Sequence, residues 1–207
     1  MNPDFNRAKQ YVLERLTHEL SPHLTYHSLQ HTRDDVLPAA VRLGRAAGLN
    51  DEEQLLLQTA ALFHDTGFLI DYRNHERHSA GLARETLPQF GYSSEQIDII
   101  CGIIGATKMP QSPNGLLQEL MCDADLDLLG RGDFLRLNRE LLKEVQHFAG
   151  QPIREEHWLR DQAQFLRDHQ FFTAAARSQH AEGKDHNTSM IATALASLNG
   201  TASSMPH

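Results

Sequence analysis

With 207 residues, 40% of them hydrophobic, the chain can bury a sizeable core, as one domain or one domain with a tail. Its formal charge of −8 excludes a general nucleic-acid binder, since no basic stripe is present to neutralise phosphates. No apolar run approaches the roughly 18 residues that span a bilayer, so no membrane partner is expected.

The first residues, MNPDFNRAKQ, lack the charged-then-apolar layout of a signal peptide, and Cys101 and Cys122 read as buried thiols rather than a disulfide framework. A cytoplasmic location is therefore expected. In chain order, Phe5, Ala8, Val12, Leu16 and Leu20 recur at three-to-four spacing and predict an amphipathic helix that stops near Ser21-Pro22. The stretch YHSLQHTRDD then places His27 and His31 four apart at a helix start, where both imidazoles could reach one point in space. In a chain with 13 histidines, a polar surface turn would read the same way. The second helix is expected from about Leu29 to Ala47, with Val36, Ala39, Ala40 and Leu43 as its apolar stripe.

Asn50 and Glu53 resemble a capping pair for DEEQLLLQTAALFH, a helix apolar on most sides and so expected at the buried centre. It is expected to close at Thr66-Gly67, with the glycine as C-terminal cap. HERHSAGLARETL reads as a fourth helix stopped by Pro88 and Gly91, with Glu76 and Arg77 as solvated charges. Ser93 and Gln96 form a second capping box opening SSEQIDIICGII, and KMPQSPNG reads as a loop. GLLQELMCDADLDLLG predicts a further helix, followed by one from about Asp133 to Phe148. After Gly150 and Pro152 comes a long helix in which Trp158, Phe165 and Phe172 recur at seven, as core residues. ATALASL reads as a short helix and NGTASSMPH as a frayed end. No segment has the period-two alternation of a strand, so the expected fold class is all-α. The expected organisation is one helical domain over residues 1–185 and a tail, partly helical or frayed, over 186–207.

Three features carry chemistry. His64-Asp65 closes an apolar helix, and a buried carboxylate costs several kcal/mol unless paired or bound to a cation. The alternative is that Asp65 caps the next segment while His64 bonds a carbonyl. MCDADLD sets Asp123, Asp125 and Asp127 among leucines, where a metal ion facing one carboxylate explains the run better than solvation does. His31, His64-Asp65 and one of the DAD aspartates would thus converge from three separated helices. Nitrogen and carboxylate donors without thiolate suit a divalent Mn, Mg, Fe, Co, Ni or Zn ion.

In this order of a His, an adjacent His-Asp and a distant Asp, the chain resembles the HD-domain metal-dependent phosphohydrolases over roughly residues 20 to 130. The resemblance implies a compact helical bundle with His31, His64, Asp65 and, by its Ala-Asp pattern, Asp125 as metal ligands, leaving Asp123 in second place. Tyr26-His27 with His31 resembles the run in cyclic nucleotide phosphodiesterases, which implies that His31 is the ligand and His27 the general acid. RNHERHSAG and GATKMP resemble two further runs of those enzymes. Ser28 stands where they usually carry asparagine, and TGF stands where they have another histidine. The lysine and later His-His pair of the cyclic-di-GMP-cleaving branch are also missing, so about one metal per chain is expected, with His75 as an alternative weak ligand.

Arg73 and Lys108 are candidates to hold a substrate phosphate. The expected function is metal-dependent hydrolysis of a small-molecule phosphoester, such as a nucleotide. A nucleoside monophosphate phosphomonoesterase and an alarmone-type pyrophosphohydrolase are the enzymatic alternatives. A non-catalytic metal-binding or ligand-sensing domain and a di-iron oxygenase are the others.

Overall fold

The structure, a computed structural model, describes residues 3–202, and among these the chain is helical with no strand, as expected. Helix α1 (Phe5–Glu19) is capped by Asp4, which accepts from the Arg7 amide, and it buries Ala8, Val12 and Leu16. A π-helical turn, His31–Val36, runs directly into α2 (Leu37–Ala46). Val36, Ala39, Ala40 and Leu43 are fully buried, so the stripe is as expected, but the helix is not regular along its length. Pro38 explains the irregularity. It has no amide hydrogen and its ring would press on the carbonyl four residues back, so the wider π turn before it keeps the helix continuous. His27 precedes this helix, in a bent segment, rather than sharing its face with His31.

Helix α3 (Asp51–Phe63) opens with the complete Asn50/Glu53 capping box and crosses the centre of the molecule. Leu57, Leu62 and Phe63 are no more than 1% exposed, and each contributes roughly 1.5–3 kcal/mol by burial. Gly67 lies in a 3₁₀ turn, Thr66–Leu69, and is not a left-handed cap. Its smallness serves a close approach: a Cβ there would fall 1.9 Å from the His75 carbonyl oxygen and 2.8 Å from the Ser79 amide. Both lie on α4 (His75–Thr86), whose first turn is thereby held against the end of α3. Glu76, expected in solvent, is buried in that turn.

Helix α5 (Ser94–Ala106) carries the second capping box, and the 107–115 loop contains a cis Met109–Pro110 bond. Helix α6 (Leu116–Asp125) ends sooner than the predicted Gly115–Gly130 helix, because a 3₁₀ turn, Asp127–Gly130, replaces its last part. Helices α7 (Phe134–Ala149) and α8 (Glu155–Asp168) follow. Phe172 is not on α8 but in the turn beyond it, so the spacing of seven joins residues of two elements.

Helix α9 (Ala174–Ala202) passes the 185/186 boundary uninterrupted. Ile191 is buried in the core, and Asn187 donates to the carbonyls of Leu129 and Arg131, so this stretch packs on the bundle. Residues 203–207 of the expected frayed end lie outside the described residues. Cys101 and Cys122 are buried free thiols, hydrogen-bonded to the Ala80 and Ala106 carbonyls.

Candidate metal centre

His31 comes from the π turn, His64 and Asp65 from the end of α3, and Asp125 from the last residue of α6. The ligand atoms of His31, His64 and Asp65 lie within 4.8 Å of one another. His64 Nε2 is 3.2 Å from Asp65 Oδ2, and His31 Nε2 is 3.7 Å from the same oxygen. Asp125 Oδ1 stands 3.4 Å from both imidazole Nε2 atoms. Despite this crowding, His31 Nε2, His64 Nε2 and Asp65 Oδ2 are buried with no hydrogen-bond partner. Buried polar atoms are almost always satisfied, so three orphans within reach of one point form an arrangement that could hold a cation.

The chemistry of the donors agrees. His64 Nδ1 lies 2.8 Å from the Ala61 carbonyl, which can only accept, so this nitrogen carries the hydrogen. In the neutral ring, Nε2 is then left as a lone pair aimed at the cluster. Two imidazoles and two carboxylates suit a divalent transition metal or magnesium and leave room for further oxygen ligands.

Pairing between imidazoles and carboxylates governs the electrostatics of the cluster. Burial would raise both carboxyls, but the facing imidazoles outweigh it, His64 foremost at Asp65 and His31 foremost at Asp125. Both acids lie well below the usual carboxylate range. Burial likewise opposes a charge on His64, yet Asp65 overrides it and holds the ring well above its ordinary value. A cation would take over the proton's role there, so its binding should release protons.

Asp65 also faces outward, because its Oδ1 is 3.5 Å from His75 Nε2. Burial lowers the pKa of His75, with Asp65 opposing. Its ring stacks on Phe68 at 3.9 Å between centroids, and Phe68 in turn lies 4.7 Å from the His27 ring. His75 is thus adjacent to the cluster.

Asp123 is not. Residues two apart on a helix point about 200° apart, so Asp125 faces the histidines while Asp123 faces the start of α9. Asp123 is fully buried and accepts from the Phe172 amide at 2.8 Å, the Thr173 amide at 2.8 Å and the Thr173 hydroxyl at 2.7 Å. It closes the turn that enters α9. Asp127, the third acid of the run, pairs with Arg42 and with His180 at 2.7 Å. Arg73 and Lys108 are exposed, and their side chains hold no hydrogen bond or ion pair among the described residues.

His27 stands beside the cluster, its ring centroid 5.7 Å from that of His31. Its Nδ1 pairs with the Glu144 carboxylate of α7, a residue the motif reading passes over. Glu144 also accepts the amides of Tyr26 at 2.9 Å and His27 at 3.0 Å, so one buried acid fixes both the backbone and the ring. Burial disfavours charge on either partner, but the pair prevails: His27 is raised and Glu144 lowered from their ordinary values. With Nδ1–H committed to Glu144, Nε2 is the nitrogen free to serve a ligand. Nothing in the sequence singles Glu144 out, because Leu137, Leu141, Val145 and Phe148 continue the apolar stripe of α7 beside it.

Compared with protein-family models, with curated proteins and with solved structures, the chain gives no match.

Proposed function

We propose that the protein is a metal-dependent phosphohydrolase of the HD-domain type, cleaving a phosphoester of a nucleotide or similar small molecule. The observation that carries the reading is the convergence of three unsatisfied buried donors beside a histidine whose Nδ1 is paired with a buried glutamate. His31, His64, Asp65 and Asp125 would hold the divalent ion, about one per chain. When bound, such an ion supplies a Lewis acid for a phosphoryl oxygen and lowers the pKa of water to near neutrality.

The chain's own residues do the rest. Glu144 orients His27 and favours its charged form, so a protonated Nε2 would donate to the departing oxygen as the ester bond breaks. The His64 hydrogen bond to Ala61 holds that ring in the tautomer a ligand needs. Burial of the His31–His64–Asp65 cluster keeps bulk water from screening it. A nucleoside monophosphate phosphomonoesterase falls within this reading. The His27–Glu144 pair favours an enzyme over a metal-binding sensor, since a sensor needs no positioned proton donor.

The test is hydrolysis of bis-p-nitrophenyl phosphate, p-nitrophenyl phosphate and a nucleotide panel with added Mn, Mg, Co or Ni. Turnover abolished by a chelator is expected, and the diester-to-monoester ratio assigns the subclass. A metal-loaded protein that hydrolyses none of them would refute the proposal.

A further inference from the structure

A cavity of about 280 Å³ opens beside the cluster, with His27 and Asp125 among its lining residues. Beyond them its wall is mostly apolar, formed by Leu126, Leu129, Phe134, Leu141 and Phe165 among others, with no lysine or arginine. Its volume is near the lower end for small-ligand sites, and such sites are typically apolar with a few placed polar groups. Here Asn138 and Gln162 are the amides on the wall.

Their orientation follows from one residue that cannot accept. Trp158 Nε1 only donates, so the Asn138 atom 2.7 Å from it is the oxygen. The remaining Asn138 atom is therefore nitrogen, and the Gln162 atom 2.6 Å from it must be Oε1. Gln162 lines the cavity, and its Nε2 is left without a partner among the described residues. The relay runs in one direction, and it makes Gln162 a fixed donor.

We propose that this cavity seats the organic part of the phosphoester substrate, and that Gln162 selects an uncharged, largely apolar group bearing a hydrogen-bond acceptor such as a carbonyl. This substrate class rests on the hydrolase reading above. Apart from His27, a second phosphoryl group would find no cationic side chain on the cavity wall, which disfavours pyrophosphate-bearing substrates seated there.

The experiment compares 4-acetylphenyl phosphate with 4-isopropylphenyl phosphate, which match in shape but differ in the acceptor. In Gln162→Leu, the ratio of kcat/KM for the acetyl over the isopropyl ester should fall about tenfold from wild type, the worth of one neutral hydrogen bond. The loss should sit in KM. Gln162→Glu, which still accepts from Asn138 but presents an acceptor to the cavity, should lower the ratio as well. An unchanged ratio in both variants would overturn the proposal.

A second measurement does not depend on turnover. The indole N–H resonance of Trp158, the sole tryptophan, is followed while wild-type protein is titrated with acetophenone or isopropylbenzene. Acetophenone should bind about tenfold more tightly, and equal binding or none would overturn the selectivity. Absence of hydrolysis with both esters would instead overturn the function on which the proposal rests.

Discussion

Replacing Glu144 with glutamine tests the link between a buried carboxylate and the chemistry of His27. The change keeps the size and one acceptor oxygen but removes the charge and turns a second oxygen into an N–H₂ facing donors. Glu144 accepts from the Tyr26 amide, the His27 amide and His27 Nδ1, so glutamine either leaves a donor unsatisfied or forces His27 into the neutral tautomer whose Nδ1 accepts. In both cases the charge-assisted bond is lost. The His27 side chain is 21% exposed, which tempers the loss, and about 2 kcal/mol is expected. In a chain of this size that is a fall in Tm of about 4–8 °C.

The pH dependence of that fall has a definite sign. The folded pKa of His27 is raised, so its share is complete below the ordinary value of 6.5 and lost as pH rises through the folded value. The folded pKa of Glu144 is lowered, so its share is present above the ordinary 4.5 and lost as pH falls through the folded value. The Tm difference between wild type and Glu144→Gln, measured by calorimetry on metal-free protein, should therefore be largest between about pH 4.5 and 6.5 and shrink at alkaline pH. In the metal-loaded enzyme, the alkaline limb of the pH–rate profile should move to lower pH. A Tm difference that is the same at pH 5.5 and 9, with an unmoved alkaline limb, would refute the pairing argument.

Other substitutions separate the roles of neighbouring residues. Asp125→Ala should lose metal while keeping its fold, whereas Asp123→Ala should keep metal stoichiometry and lose about 2–4 kcal/mol in denaturant unfolding, since three donors, two of them buried, lose their acceptor. The reverse order would move the ligand role to Asp123. Gly67→Ala should destabilise by about 1–3 kcal/mol or more, because its Cβ must push the His75 carbonyl and the first turn of α4 away. Unaltered unfolding would contradict that close approach. His169, with both ring nitrogens buried and unpartnered, is pushed down to about 4 by burial and Lys184. The unfolded chain then binds the extra proton between pH 6.5 and about 4, so stability falls as pH falls through that range. His169→Leu should gain Tm relative to wild type as pH drops, and a pH-independent difference would count against it.

Much of this was legible in the sequence because helices write their burial at a period of 3.6. The stripes of α1, α2 and α3 are buried where their spacing places them, and both capping boxes close as their residues suggest. The cluster was legible because His31, His64-Asp65 and Asp125 each sit in an apolar context that a charge does not choose unaided. What escaped has physical reasons. Glu144 is 117 residues from His27, and nothing local in the sequence marks the pairing. The π turn depends on Pro38, which the stripe of the second helix hides. Asp123 and Asp125 look equivalent as neighbours until the helix turn sends them to opposite sides, one to the histidines and the other to α9.

The most direct test of the central claim is metal stoichiometry by elemental analysis of wild type and His64→Ala, each loaded with Mn and then desalted. About one ion per chain in wild type is predicted, and none in His64→Ala, because the ring whose Nδ1 is fixed on Ala61 and whose Nε2 faces the cluster is gone. Equal metal in both proteins, or none in wild type under any loading condition, would contradict it.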